Sequence, residues 1–186
     1  MRLLAVADQE PHIPLERLVA HHKPDAVVLL GDLLPDWLDP LCRFSDLSIL
    51  GVYGNHDDGH YLEARNLTDV HLSSAEVGDA RFTGFEGCVQ YRWGAPLQYT
   101  QEEATRLARK LPEADVLLSH APPAGVHEEP HDDRAHEGFE ALRDYVERVQ
   151  PRLALHGHTP PSARKPEYIG RTKVVHVVGA SLVEVP

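Results

Sequence analysis

Cysteine is scarce in this sequence of 186 residues, with only Cys42 and Cys88, far apart and without a C-x-x-C spacing. A disulfide-stapled fold is thereby excluded, neither a zinc ribbon nor a thioredoxin-type site is suggested, and a reducing cytoplasm fits. Long apolar runs are missing too. Nothing approaches the ~18 residues of a membrane span, and the apolar stretch Met1 to Ala7 meets Asp8 too soon to be a signal-peptide core. A soluble, cytoplasmic chain with no membrane partner is expected. Positive charge is the third shortage: 18 Lys and Arg against 29 Asp and Glu leave a net charge of −11. Such a surface repels a polyanion, so extended nucleic acid is a poor partner and a small substrate a better one. There is no internal repeat, no low-complexity tract and no linker long enough to divide the chain, which reads as a single domain over residues 1–186. That length buries most of its apolar surface without staples.

What is abundant is histidine, 13 in all, gathered near Gly and Asp residues at the ends of apolar runs. Residues 2–7 and 25–30 are Leu-, Val- and Ala-rich runs that end at polar turns, as strands buried on both faces do. Leu15, Leu18 and Val19 lie between them at helical spacing, giving a β-α-β start. Residues 48–53 form another strand-like run, and 70–77 with 80–85 pair as a hairpin around Gly78-Asp79. Residues 100–111 carry Glu102 and Glu103 near the start and Arg109 and Lys110 near the end, as a helix dipole favours. A strand at 115–118, a helix at 138–149 and a strand at 152–155 follow. Residues 172–178 and 181–185 read as a closing hairpin. The stretch from Ala121 to His136, rich in Pro, His and acids, is either a solvated surface loop or a functional one. Its acids at 128–133 also favour small substrates over polymers.

Five strand-to-loop junctions end in residues that bind divalent metals: Asp8, Gly31-Asp32, Gly54-Asn55-His56-Asp57, Ser119-His120 and His156-Gly157-His158. Any one of these is more often a cap or a turn. Five together are different, because the carboxyl ends of strands in an α/β sheet face one crevice where residues distant in sequence converge. Carboxylate, amide oxygen and imidazole make a mixed site suited to manganese, iron or zinc rather than calcium.

In that order these residues resemble the calcineurin-like metallophosphoesterases, whose pattern is Asp-x-His, Gly-Asp, Gly-Asn-His-Asp/Glu, a His after a strand, and Gly-His-x-His. Gly54-Asn55-His56-Asp57 is the most specific piece. Residues 117–123, Leu-Leu-Ser-His-Ala-Pro-Pro, with His136-Glu137-Gly138, look like the compact, cap-free branch. The resemblance implies an α/β fold, a four-layer αββα sandwich of two mixed β-sheets. It implies that Asp32 bridges two metals, that Asn55, His120 and His158 complete one site, and that Asp8 belongs to the other. His56 would face the substrate phosphate and Asp57 would orient its ring.

Two departures fall on the same metal site. Asp8-Gln9-Glu10 stands where the family has Asp-x-His, and Gly157-His158-Thr159-Pro160 where it has Gly-His-x-His. Glu10 could replace the missing imidazole, favouring manganese or magnesium there, with His12 and His156 as further candidates. The alignment that keeps Gly157 before His158 leaves His156 packed beside the site. By resemblance the cofactor is one or two divalent ions per chain, manganese first and iron or zinc as alternatives. The implied activity is hydrolysis of a phosphate mono- or diester by a metal-bound hydroxide. The alternative is a degenerate member that binds a metal or a phosphorylated ligand without useful turnover. A serine hydrolase built on Ser119 or Ser181 lacks the G-x-S-x-G elbow.

Overall fold

The computed structural model describes residues 1–128, 134–159 and 164–186. The chain opens with β1 (Arg2–Ala7), α1 (Leu15–His22), β2 (Ala26–Leu29), α2 (Pro35–Leu38), β3 (Ser48–Gly51), α3 (Tyr61–Ala64) and the short β4 (Thr68–Asp69). It continues with β5 (Ser74–Val77), β6 (Ala80–Phe85), β7 (Cys88–Val89), β8 (Gln98–Tyr99), α4 (Gln101–Ala108), β9 (Val116–Ser119), α5 (Glu140–Val149) and β10 (Leu153–His156). Strands β11 (Glu167–Ile169), β12 (Thr172–His176) and β13 (Gly179–Glu184) end it, and 3-10 turns lie at Asp39–Arg43 and Arg134–His136.

Two mixed sheets result. One runs β13-β1-β2-β3-β4, parallel from β1 to β4 with β13 antiparallel at the edge. The other runs β11-β12-β10-β9-β6-β5, with a parallel centre and antiparallel edges. A buried apolar layer between them takes Leu3, Ala5, Val28 and Leu50 from the first sheet and Phe82, Leu118 and Leu155 from the second. The alternate residues Leu4, Val6, Val27 and Leu29 face the opposite way, under Leu15, Val19 and Leu62 of the helices. On the far side Leu117 and Ala154 pack beneath Ala104, Leu142 and Val146 of α4 and α5. Because strand side chains alternate, an unbroken apolar strand is what a sheet covered on both faces requires. The architecture is the expected four-layer αββα sandwich.

Local chemistry sets several boundaries. Thr100 caps α4: its hydroxyl accepts from the Glu103 N–H, and the Glu103 carboxylate accepts from the Thr100 N–H. The hairpin β5–β6 forms with Val77 opposite Ala80, but residues 70–73 do not belong to it. The closing hairpin expected at 172–185 is not formed. Strand β12 lies in the second sheet, paired with β10 and antiparallel to β11, while β13 joins the first sheet beside β1. Period-2 apolar patterning shows that a strand is half-buried without naming its neighbour, so two consecutive strands in different sheets read the same as a hairpin. No helix among the described residues is long and apolar enough to cross a membrane.

Candidate metal centre

The strands β1, β2, β3, β9 and β10 deliver their following residues to the same edge of the sandwich. Asp8, Asp32 and His158, each just beyond such a strand end, have positive φ of 61°, 55° and 67°. Non-glycine residues hold that left-handed conformation at a cost, and such strain gathers at functional positions. The neighbouring glycines are required by close approach: a Cβ on Gly157 would lie 2.6 Å from Asp8 Oδ2, and one on Gly54 would collide with Asp32 Oδ1.

His120 is fully buried at the centre. Its Nδ1 donates to the Leu30 carbonyl at 2.8 Å. Its Nε2 then carries a lone pair, which faces Asn55 Oδ1 at 3.0 Å, His158 Nδ1 at 3.1 Å and Asp32 Oδ2 at 3.5 Å. His158 is set the same way, since its Nε2 donates to the Ala135 carbonyl and turns the Nδ1 lone pair inward. Asp8 accepts from the His158 N–H at 3.0 Å, and oxygens of Asp8 and Asp32 with a nitrogen of His120 all lie within 4.8 Å of one another. Lone pairs of His120, His158 and Asn55 therefore converge on the carboxyl groups of Asp8 and Asp32, with the imidazole and amide protons committed elsewhere. Such a set is short of positive charge, and two imidazoles, an amide oxygen and two carboxylates could hold a divalent metal ion.

The electrostatics without a metal agree. Burial lowers His120 to about 4 and His158 to about 3, keeping both neutral. Burial, with the Asp32 charge adding to it, raises Asp8 to about 8, and burial raises Asp32 as well.

The other residues singled out in the sequence lie as follows. His56 is exposed on the rim, its N–H donating to Asp32 Oδ1 at 2.8 Å. Asp57 was expected to orient the His56 ring. Instead its carboxylate accepts from the N–H groups of Asp32 (2.9 Å), Leu33 (3.0 Å) and Gly54 (2.6 Å), which staples the loop after β2 to the loop after β3. Burial pushes Asp57 up to about 6 against those three donors. Glu10 and His12 are both exposed, lining a depression with Pro11 and Asp36, and Glu10 is not part of the Asp8, Asp32 and His120 group. His156 turns away: its Nδ1 donates to the Gly157 carbonyl at 2.9 Å and its Nε2 meets His127 Nδ1 at 2.8 Å, beside His176. Pro160 and most of the acidic 128–133 stretch lie outside the described residues. Two contacts were not foreseen. The Asn55 amide N–H donates to Tyr91 Oη at 3.3 Å, and the end of the 121–136 loop reaches the site through Ala135 and through His136, whose ring lies 5.2 Å from that of His158. Backbone carbonyls carry no sequence signal, but an aromatic in a turn-rich polar segment is a readable one.

Residues 3–162 match the family model described as calcineurin-like phosphoesterase. This chain belongs to that family. No curated protein matches it in sequence. Among solved structures, TT1561 of Thermus thermophilus is similar over 100% of this chain and 99% of its own, at 16% identity and a TM-score of 0.69. A dimetal phosphatase from Danio rerio aligns over 96% of this chain and 87% of its own, at 12% identity and 0.60. A phosphopantetheinyl hydrolase from Mycobacterium tuberculosis aligns over 95% and 89%, at 13% identity and 0.60. At those identities the likeness is one of fold. It places this phosphoesterase-family chain on the same sandwich from end to end.

Proposed function

We propose that this chain hydrolyses phosphate mono- or diesters at a metal centre held by Asp8, Asp32, Asn55, His120 and His158. The observation that carries the reading is the convergence of Asn55 Oδ1, His158 Nδ1 and Asp32 Oδ2 within 3.5 Å of His120 Nε2, while the other nitrogen of each imidazole faces a backbone carbonyl. One or two divalent ions, manganese first and iron or zinc second, would supply Lewis-acid stabilisation of the phosphoryl oxygens and activation of the attacking water.

The chain's own residues do the rest. The carbonyls of Leu30 and Ala135 fix the tautomers of His120 and His158, so the inward nitrogens stay unprotonated. Tyr91 takes the Asn55 amide N–H and leaves Oδ1 turned inward. His56, exposed beside Asp32, can reach a leaving oxygen and give it a proton as the P–O bond breaks.

A second reading, a module that binds a metal or phospholigand without turnover, is favoured by the exposure of Glu10 and the proline at position 160, which leave the Asp8 side of the centre short of ligands. Elemental analysis of the purified chain, with turnover of 4-nitrophenyl phosphate and its bis-ester, separates them. Bound metal with turnover is the expected result, and bound metal without turnover on any ester selects the binding module. A folded, metal-free sample that gains no heat stability from manganese or zinc sinks both, because a ligand of the native state must stabilise it.

A further inference from the structure

Between β7 and β8 the chain makes an excursion through Gln90 to Leu97 whose base is fastened from several sides. Cys88 and Val89 pair with Gln98 and Tyr99. The Gln90 N–H donates to the Tyr99 carbonyl at 2.9 Å. The buried Gln98 side chain turns back, its Oε1 accepting from the N–H groups of Tyr91 (3.3 Å) and Arg92 (3.1 Å). At the tip the Ala95 N–H donates to the Arg92 carbonyl at 3.3 Å, with Gly94 at φ 73°. A positive φ in the third residue is what a type II turn needs, and glycine supplies it without strain. This puts Trp93 on the corner of a closed turn.

Trp93 is 93% exposed, more than any other large apolar side chain among the described residues. A single exposed apolar residue needs no explanation, but this one has company. Tyr91, 40% exposed, stands two positions back with its hydroxyl on the Asn55 amide, and the exposed Arg92 lies between them. Two residues of chain span at most about 7 Å, so the indole begins within one side-chain length of a residue that touches the centre. A cation flanked by two aromatics, held on a fixed turn of a chain with net charge −11, suits an anionic molecule that carries a flat ring. A rigid aromatic loses little entropy when a ligand stacks on it.

We propose that residues 90–97 form a substrate-reading arm, in which Trp93 stacks on an aromatic ring carried by the leaving group while Tyr91 holds the Asn55 amide. This deepens the phosphoesterase reading and rests on it. The preferred substrates are then phosphate esters of ring-bearing alcohols, and esters of plain sugars or alkyl alcohols are poorer.

Adenosine 5′-phosphate and ribose 5-phosphate, each also as its methyl diester, test this directly, because the two leaving alkoxides are alike and only the base differs. Trp93→Ala should lower the ratio of kcat/KM for the adenosine ester to that for the ribose ester roughly fivefold to a hundredfold, the span expected of one base–aromatic stack. Trp93→Phe should restore most of it, with metal content the same in all three proteins. An unchanged ratio overturns the arm, as does a Trp93→Ala protein that differs only in oligomeric state, which would make the turn a protein contact. A binding measurement stands apart from turnover. In a Trp37→Phe background Trp93 is the one remaining tryptophan, and adenosine 5′-phosphate should quench its fluorescence where ribose 5-phosphate does not. Quenching without hydrolysis of any ester would retain the arm while removing the hydrolase reading, and no difference between the two ligands overturns the arm whatever the activity.

Discussion

At the residue scale, the two polar side chains that follow Asn55 part company. Asp57 is spent on three backbone donors, whereas His56 is held through its backbone N–H to Asp32 and keeps its side chain exposed. A general acid must meet the leaving oxygen at the open side of the centre, and a positioned one contributes about 10²–10⁴-fold. His56→Ala should therefore lower kcat by about that factor on an ester with a poor leaving group, and far less on a 4-nitrophenyl ester, whose anion departs without help. Metal content should stay at the wild-type value, since no inward lone pair is lost. Equal kcat for wild type and variant on an alkyl ester would remove the proton-donor role.

At the element scale, the centre depends on loops being held against one another. The loops after β2 and β3 meet through the Asp57 carboxylate, and no Cβ fits at Gly54 without striking Asp32. Hydrogen bonds to a charged acceptor contribute about 1.5–3 kcal/mol each and do not simply add. Asp57→Ala should thus destabilise the fold by roughly 2–5 kcal/mol and lower metal occupancy, because Asp32 and Asn55 sit on the two loops it joins. Thermal unfolding with elemental analysis checks this: a loss of kcat with Tm and metal unchanged would instead return Asp57 to orienting His56. The same contrast shows what the sequence could reveal. Glycine, carboxylate and histidine at strand ends announce which junctions converge, because ligand chemistry restricts residue type. Hence the meeting of Asp8, Asp32, His120 and His158 at one edge of the sandwich was legible in the sequence alone. What Asp57 binds was not, since a backbone N–H is present at almost every residue and only the path of the chain decides which three point at it. The partners of β12 and β13 were hidden for a related reason: their apolar alternation records a buried face and leaves the sheet unnamed. The two-residue β4, both of whose residues are exposed, carries no pattern at all.

At the scale of the whole molecule, the buried ionisable groups pull the metal-free protein's stability in opposite directions with pH. Asp8 holds its proton up to about 8 in the native state, against an ordinary 3.8. Between pH 6.5 and 8 the native state therefore binds a proton that the unfolded chain has already released, and the contribution of Asp8 to stability falls as pH rises. His120, His158 and His176 take up protons only near 4, 3 and 4 instead of the ordinary 6.5, burial being the main cause for each. Below pH 6.5 the unfolded chain binds protons that the native state refuses, so stability falls as pH falls. The metal-free protein should be most stable near pH 6–7. Asp8 alone contributes a decline of about 1.5 kcal/mol between pH 6.5 and 8, and the histidines of the unfolded chain, half protonated at 6.5, offset much of it, so the net fall in Tm is about 1–3 °C for a chain of this size. A cation selects the ionised carboxylate and the neutral imidazole, the forms found at higher pH, so manganese should raise Tm most at pH 8 and erase the alkaline decline. Asp8→Asn has no proton to release and should lose the decline without metal. A metal-free Tm that follows the same course from pH 6.5 to 8 in the wild-type chain and in Asp8→Asn would mean that Asp8 is ionised before any cation arrives, and that the acceptors of the centre do not repel one another.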